Sequence, residues 1–220
     1  MEMQESNIVK VFGMKWCLAI SFLFLLACNT VTQKVPYFFS PDLSPTWNLQ
    51  DTTTSIHTIG TFQFLNQNGE LFGSKELQRK VYVANFFFTS CPSICPKMTN
   101  NLHEVDNHFN GDSRVQLVSF SVTPELDSVS RLNEYHSTYN MSNDWNLLTG
   151  SKSEIYKLSR TSFFVEEEIG LSKDSSDFLH TERCMLIDQN SRIRGFYNAT
   201  VALDMKRLID DITIILEENE

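Results

Sequence analysis

The sequence predicts an α/β domain with a central mixed sheet flanked by helices and an N-terminal hairpin. Two almost continuously apolar segments, residues 81–88 and 115–122, are rich in β-branched and aromatic residues, which is typical of strands buried on both faces. A helical pattern runs from Pro96 to about Phe109 between them. A strand–helix–strand order implies that the two strands are parallel.

Two hairpins and a helix complete the predicted sheet. Residues 61–65 and 70–72 flank an Asn-Gly pair, which supplies the positive φ of a tight turn and predicts the N-terminal hairpin. Residues 179–187 and 193–197 predict a closing hairpin, and residues 203–216 an amphipathic final helix.

Two further helices are predicted between these elements. Thr123-Pro124 has the N-cap and first-position residues of a helix start, and Ser151-x-x-Glu154 has the pattern of a capping box. Strands and helices therefore alternate before a hairpin and a helix close the sheet. This order fits a thioredoxin-like fold.

The N-terminal segment predicts export and a lipid anchor. Residues 16–27 form an apolar run of a dozen residues preceded by Lys10 and Lys15, which is the length of a signal-peptide core and too short to span a bilayer. The run ends at Leu-Leu-Ala-Cys28, which resembles a bacterial lipobox. That resemblance implies cleavage before Cys28 and lipidation of its thiol. The alternative is an uncleaved N-terminal anchor.

Three parts of the chain follow from these patterns. We predict a lipoprotein signal peptide over residues 1–27, a tether over residues 28–54 and one globular domain over residues 55–220. The tether is predicted from its three prolines, its many Ser and Thr residues and its lack of a sustained period. The product would be an exported lipoprotein that faces the periplasm or the cell exterior, and its only contact with the membrane would be the lipid anchor.

The charge of the chain excludes one class of partner. The formal net charge is −9 at pH 7. A nucleic-acid backbone would be repelled by this excess of acidic groups, so we expect no nucleic-acid partner.

Cys91 and Cys95 are the candidate reactive residues. They lie in a Cys-x-x-x-Cys-Pro segment between the first buried strand and its helix, and each precedes a proline, which favours extended backbone. We therefore expect the helix to begin with Pro96 and Cys95 to lie at or near the N-cap. Amides at a helix start stabilise thiolates, so two low-pKa thiols are predicted. Such a pair can form a redox-active disulfide or bind a soft metal ion.

A third ligand would decide between these chemistries. His180 is the candidate because it directly precedes a predicted strand whose start should lie near the carboxyl end of the sheet. Two sulfurs and an imidazole suit copper in either oxidation state. A single histidine at a strand start is, however, also common as an ordinary surface or core residue.

An ordered set of motifs resembles the Sco/SenC family of copper-binding assembly proteins. Besides the Cys-x-x-x-Cys-Pro motif, it includes Ser-Val-x-Pro-Glu-x-Asp at residues 121–127, Trp-x-x-Leu-Thr-Gly at residues 145–150, and His180 before a Leu-Ile-Asp strand. The resemblance implies a thioredoxin-like fold, with Cu(I) or Cu(II) bound by Cys91, Cys95 and His180. It also implies a metallochaperone role in preparing the dinuclear copper centre of cytochrome c oxidase. The implied partners are the copper-receiving oxidase subunit and a thiol reductant or copper donor.

One departure from the family pattern and two alternatives remain. Thr123 stands where many members have Asp, so any role of that carboxylate is open. The main alternative is a thiol-disulfide oxidoreductase, although such enzymes usually carry Cys-x-x-Cys and a later cis-proline, and no proline follows Pro124. An interaction module without metal or redox chemistry is the third hypothesis.

Overall fold

The computed structural model describes residues 34–51, 55–165 and 181–218. The strands are β1 Tyr37–Phe38, β2 Pro45–Thr46, β3 Gln63–Leu65, β4 Leu71–Gly73, β5 Val81–Phe87, β6 Val115–Ser121, β7 Trp145–Leu148, β8 Arg183–Ile187 and β9 Ile193–Asn198. The α-helices are α1 Ile94–Phe109, α2 Val129–Thr138, α3 Lys152–Thr161 and α4 Ala202–Glu217. A 3₁₀ helix spans Leu49–Asp51.

Seven strands form one mixed sheet in the order β2-β1-β9-β8-β5-β6-β7. Strands β5, β6 and β7 are parallel, as the helical connections between them require. Strand β8 pairs antiparallel with β5, and β9 with β8. Strands β3 and β4 form a separate hairpin, joined to residue 149 through an isolated bridge at Leu65. The predicted α/β fold with a central mixed sheet and an N-terminal hairpin is confirmed.

Both faces of the sheet are covered by apolar side chains. All seven residues of β5 are buried, as are all seven of β6, because successive side chains on each strand enter opposite layers of the core. Helices α1, α2 and α4 contribute to one layer. Helix α3 and the β3–β4 hairpin contribute to the other. This double burial explains why the two apolar segments are easily recognised in the sequence.

The start of the described chain is anchored by a buried arginine. Arg194 on β9 is 1% exposed and donates hydrogen bonds to the carbonyls of Val35 and Pro36 at 2.7 and 3.1 Å. Its guanidinium lies 4.1 Å from the centre of the Tyr37 ring, and β1 pairs with β9. The compact unit therefore begins at Lys34, and part of the stretch predicted as a tether belongs to the folded domain.

The helix predicted to open at Thr123-Pro124 begins later. The amides of Leu126 and Asp127 both donate to the Thr123 carbonyl, at 2.8 and 2.9 Å, but this turn does not continue as a helix. Helix α2 begins at Val129, and the Ser128 hydroxyl accepts a hydrogen bond from an amide of its first turn. The prediction of a helix start at Thr123 was wrong. An N-cap hydroxyl accepts a hydrogen bond from a first-turn amide, whereas the Thr123 hydroxyl donates to the buried Asp127 carboxylate.

The other helix predictions agree more closely with the structure. Helix α3 follows Ser151 as N-cap, and Glu154 lies in its first turn, although the Ser151 side chain makes no capping hydrogen bond. Helix α4 covers the predicted final helix with one more residue at each end. Within the described ranges, no helix combines the length and apolar character needed to cross a membrane.

Candidate metal centre

Cys91 and Cys95 lie at the junction between β5 and α1. A turn closes after the strand, in which the Cys91 amide donates to the Phe88 carbonyl at 3.3 Å. Helix α1 begins at Ile94 with Ser93 as N-cap, so Cys95 lies within the first helical turn. The prediction that Pro96 opens the helix was wrong by two residues. Pro96 is tolerated there because amides of the first turn have no intrahelical partner to lose.

The two thiols are adjacent but differ in exposure. The Cys95 amide donates a hydrogen bond to the Cys91 Sγ atom at 3.4 Å. Cys95 is only 5% exposed and belongs to the core, whereas Cys91 is half-buried. Neither thiol takes part in a disulfide in this structure.

Exposure and hydrogen bonding give the thiols opposite pKa shifts. Burial alone would raise the Cys91 pKa, but hydrogen bonds from the backbone of Cys95, Ser93 and Ile94 outweigh it, and the pKa falls below its ordinary value. Burial raises the pKa of Cys95 to about 12, and the nearby charges of Cys91 and Asp127 act in the same direction. The prediction of two low-pKa thiols is therefore correct for Cys91 and wrong for Cys95.

A pocket of about 220 Å³ opens beside the thiol pair. Its walls come from the end of β5, the loop with Cys91, the first turn of α1 with Cys95, the residue after β6 and the two residues before β8. The lining residues are Phe86, Phe87, Phe88, Cys91, Pro92, Ser93, Ile94, Cys95, Val122, Thr181 and Glu182. Most of these side chains are apolar, so the sulfurs face a weakly hydrated space.

Two residues predicted to be functional lie outside the described residues, namely His180 and Cys28. Thr181, which directly follows His180, is 8% exposed and lines the pocket beside both cysteines. In residues 34–51, 55–165 and 181–218, no group of three or more His, Cys, Asp or Glu side chains has the arrangement of a metal site. The third cysteine of these ranges, Cys184, is buried in β8 and does not line the pocket.

A buried carboxylate lies next to the thiol loop. Asp127 is 0% exposed and accepts hydrogen bonds from the Thr89 amide and hydroxyl, at 3.3 and 2.5 Å. The Ser121 and Thr123 hydroxyls also donate to it, at 2.6 and 3.1 Å. In the sequence, Asp127 is visible only as the end of the Ser-Val-x-Pro-Glu-x-Asp motif, and the local signal for a buried acid is the pair of hydroxyl residues, Ser121 and Thr123, shortly before it. The third donor, Thr89, is too far away in the sequence to be recognised.

Thr123, which departs from the family pattern, is part of this network. Its side chain is 9% exposed and turns inward to Asp127, while its amide donates to the Ser121 hydroxyl at 3.2 Å. Thr123 therefore offers no carboxylate to a metal or a partner in this chain. It helps to satisfy the buried charge of Asp127 instead.

Comparison with known proteins decides the family. The SCO1/SenC family model matches residues 50–217, which is most of the chain. The chain belongs to the SCO1/SenC family. The match includes the thiol loop, the Asp127 turn and the closing β8–β9 hairpin.

Solved structures of SCO1/SenC proteins have the same fold. A SCO1/SenC family lipoprotein from Bacillus anthracis is 33% identical, with a TM-score of 0.63 over 74% of this chain and 98% of that one. BsSco, described as a member of the Sco family of cytochrome c oxidase assembly proteins with a disulfide switch, is 26% identical, with a TM-score of 0.60 over 74% and 96%. Copper-bound ScoI from Bradyrhizobium japonicum is 30% identical, with a TM-score of 0.54 over 70% and 99%. The thioredoxin-like fold is thereby confirmed.

Proposed function

We propose that this protein is a copper-binding chaperone or thiol-reducing assembly factor for the dinuclear copper centre of cytochrome c oxidase. The observation that carries the proposal is the pair of free thiols of Cys91 and Cys95. The Cys95 amide donates a hydrogen bond to the Cys91 sulfur, and both residues line one mostly apolar pocket. A copper-bound relative and a relative described as an oxidase assembly protein support it.

Copper is the cargo that fits these donors. Thiolate sulfur is a soft ligand that selects Cu(I), and an added imidazole nitrogen extends the set to Cu(II). We propose His180 as that third ligand. The support for it is positional, because Thr181 lines the same pocket as both cysteines and a residue's immediate neighbour in the chain is only about 3.8 Å away between Cα atoms.

Copper stoichiometry tests this function directly. The full chain, purified in detergent and kept reduced, should bind one copper per molecule by elemental analysis after dialysis. Cys91→Ser and Cys95→Ser should each abolish tight binding. Cys184→Ala is the matched control because its thiol is buried away from the pocket, and it should bind normally. A wild-type protein without copper, or a Cys91→Ser variant with full copper, would refute the chaperone function.

Thiol-disulfide exchange is the second candidate, and the unequal exposure of the thiols favours it. The Cys91 thiolate would attack a disulfide of the partner and form a mixed disulfide. Cys95 would then displace the partner's sulfur, which leaves a Cys91–Cys95 disulfide and a reduced partner dithiol. Two electrons pass to the partner, so an external thiol reductant must restore the pair.

Thiol counting during exchange distinguishes this candidate. After incubation of the reduced protein with a disulfide-bonded peptide, the separated protein should have lost two thiols for each peptide disulfide opened, and the peptide should have gained two. The Cys95→Ser variant should stop at the mixed disulfide. If no exchange occurs while copper binds in a one-to-one ratio, the protein acts through metal transfer alone.

We further propose that the mature chain is exported and held to the membrane by a lipid on Cys28. The support is the apolar run that ends in Leu-Leu-Ala-Cys28 and the relative described as a lipoprotein. The folded unit begins at Lys34, and Arg194 near the start of β9 binds the next residue, Val35. The other end of β9, Asn198, pairs with Arg183, close to the thiol pocket. Mass spectrometry of the mature N-terminus should show an acylated Cys28. A chain that still begins at Met1 without acyl mass would exclude the anchor.

A further inference from the structure

Asp127 is an acidic side chain that is fully buried next to the thiol loop. Its carboxylate is 0% exposed and its four hydrogen bonds all come from neutral donors. Burying an ionised carboxylate is costly unless strong hydrogen bonds compensate for the lost water. The carboxylate joins the thiol loop at Thr89 to the end of β6 and the turn after it, at Ser121 and Thr123.

Half of the hydrogen bonds to Asp127 come from one residue of the thiol loop. The Thr89 amide and hydroxyl both donate to the carboxylate, which lies 38 residues further along the chain. The single hydroxyl proton of Thr89 is used in this bond. Its oxygen is then free to accept a hydrogen bond, and Arg131 Nε on α2 donates one at 2.7 Å. Thr89 is therefore held from two sides.

The position of Thr89 bears on the geometry of the two sulfurs. Cys91 follows Thr89 by two residues. The Cys91 amide donates to the Phe88 carbonyl at 3.3 Å, so Thr89 lies inside the turn that this hydrogen bond closes. Cys95 is held separately, by its burial on α1. The relative placement of the two thiols therefore depends on how firmly Thr89 is fixed.

We propose that Asp127 is a positioning residue for the thiol pair, and that it acts by holding Thr89 and with it the turn that carries Cys91. Arg131 supports the same turn from the solvent side. The expected effect on copper binding rests on the proposed function. The expected effect on disulfide formation does not, because closing the Cys91–Cys95 bond depends on the placement of the sulfurs whether or not copper binds.

Two readouts test the proposal on the full chain. One is the equilibrium of the Cys91–Cys95 pair with a glutathione buffer, and the other is Cu(I) affinity measured against a competing chelator. Residues that orient metal ligands through hydrogen bonds typically change affinity 10- to 100-fold when mutated. We expect Asp127→Asn to weaken Cu(I) binding at least about tenfold and to shift the thiol–disulfide equilibrium at least about threefold.

A matched control separates positioning from simple stability. Asp106 is also buried, at 3% exposed, and lies on the same helix as Cys95 but far along it from the thiols. It accepts hydrogen bonds from the Ser142 amide, at 3.0 Å, and from the Ser142 hydroxyl. Asp106→Asn should destabilise the fold to a similar extent. It should leave the redox equilibrium and the Cu(I) affinity of the folded protein within about twofold of the wild type.

Thr89 variants keep the test decisive if Asp127→Asn does not fold. Thr89→Val removes the hydroxyl and should reproduce both shifts, whereas Thr89→Ser keeps the hydroxyl and should restore wild-type behaviour. If Thr89→Val matches the wild type in both readouts, the proposal is overturned. If the wild type binds no copper, the proposed function fails, and the glutathione equilibrium of the same variants still decides the role of Asp127.

Discussion

The backbone amide of Cys95 donates a hydrogen bond to the Sγ atom of Cys91 at 3.4 Å. This bond places the half-buried sulfur at the start of α1, where free amides favour a thiolate. The buried thiol of Cys95 lies within the first turn of the helix, and burial raises its pKa more than a backbone hydrogen bond at Phe88 lowers it. The opposite pKa shifts of the two thiols affect their reactivity, their metal binding and the protons released on binding.

Cys91 should react with alkylating agents before Cys95. The pKa of Cys91 lies below its ordinary value, whereas burial raises that of Cys95 to about 12. At pH 7 to 8, iodoacetamide should therefore modify Cys91 first, because the thiolate is the reactive form. Peptide mapping by mass spectrometry at short reaction times measures the order. Equal labelling of both residues in the folded protein would contradict it.

Copper(I) binding should release protons and strengthen as the pH rises. Both sulfurs bind as thiolates, but at neutral pH Cys95 carries its proton because its pKa is about 12. The pKa of Cys91 lies below its ordinary value because backbone hydrogen bonds to its sulfur outweigh burial, so Cys91 releases a smaller share of a proton than Cys95 does. Calorimetry in two buffers of different ionisation enthalpy should show roughly one to two protons released per copper. The Cys184→Ala control should release the same number, and binding that does not depend on the buffer would contradict the prediction.

His180→Ala should separate metal binding from thiol exchange. Loss of the imidazole leaves two thiolates and an open position, which should abolish the charge-transfer absorption of the Cu(II) form and impair oxidase assembly. Cys91 and Cys95 should still cycle with glutathione. His57→Ala is a suitable control, since His57 Nε2 bonds the Ser162 carbonyl at 2.8 Å, away from the pocket. An unchanged Cu(II) spectrum in His180→Ala would favour the oxidoreductase alternative.

Arg194→Met should weaken the fold without direct effect on the thiols. Arg194 is 1% exposed and forms ion pairs with Asp188 at 3.4 Å and Glu218 at 2.9 Å. Its loss leaves the buried Asp188 with Arg192, at 2.7 Å, as its remaining ion-pair partner and removes the hydrogen bonds to the start of the described chain. We expect the free energy of unfolding to fall by about 3 kcal/mol. Urea unfolding measures the change. Arg207→Met, in an exposed pair with Asp204, should cost less than about 0.5 kcal/mol. If Arg194→Met and Arg207→Met lowered the free energy of unfolding equally, the stabilising role of the buried Arg194 would be contradicted.

Thr123→Asp should destabilise the protein in a pH-dependent way. The new carboxylate would lie beside the buried Asp127, which the Thr123 hydroxyl now contacts at 3.1 Å. Two like charges raise the pKa of one carboxyl, so the penalty should be present at neutral pH and shrink as the pH falls and that group takes up a proton. We expect a loss of about 1 to 3 kcal/mol at pH 7. Thr123→Ser should be close to wild type, and a loss that does not depend on pH would refute the explanation.

The order of elements and the place of the thiols could be predicted from local sequence. Strands β5 and β6 are apolar along their whole length because both faces are covered, and that pattern is visible without a structure. The Cys-x-x-x-Cys-Pro segment follows β5 directly, so its place at a strand–helix junction follows from the same pattern. The SCO1/SenC assignment also rests on motifs that can be read along the chain.

The remaining features depend on contacts between residues far apart in the sequence. Helix α2 begins at Val129, two residues after Asp127, whose side chain is bound by Thr89, 38 positions away, and no local pattern reveals that partner. The two thiols differ because packing buries Cys95 and leaves Cys91 half-exposed, and burial sets the sign of the larger shift. Residues 34–38 belong to the folded unit because Arg194, more than 150 positions later, binds the carbonyls of Val35 and Pro36, and because β1 pairs with β9. Local sequence determined which residues could form each element, whereas desolvation and long-range hydrogen bonds, which exist only in the folded chain, decided where helices begin and which thiol ionises.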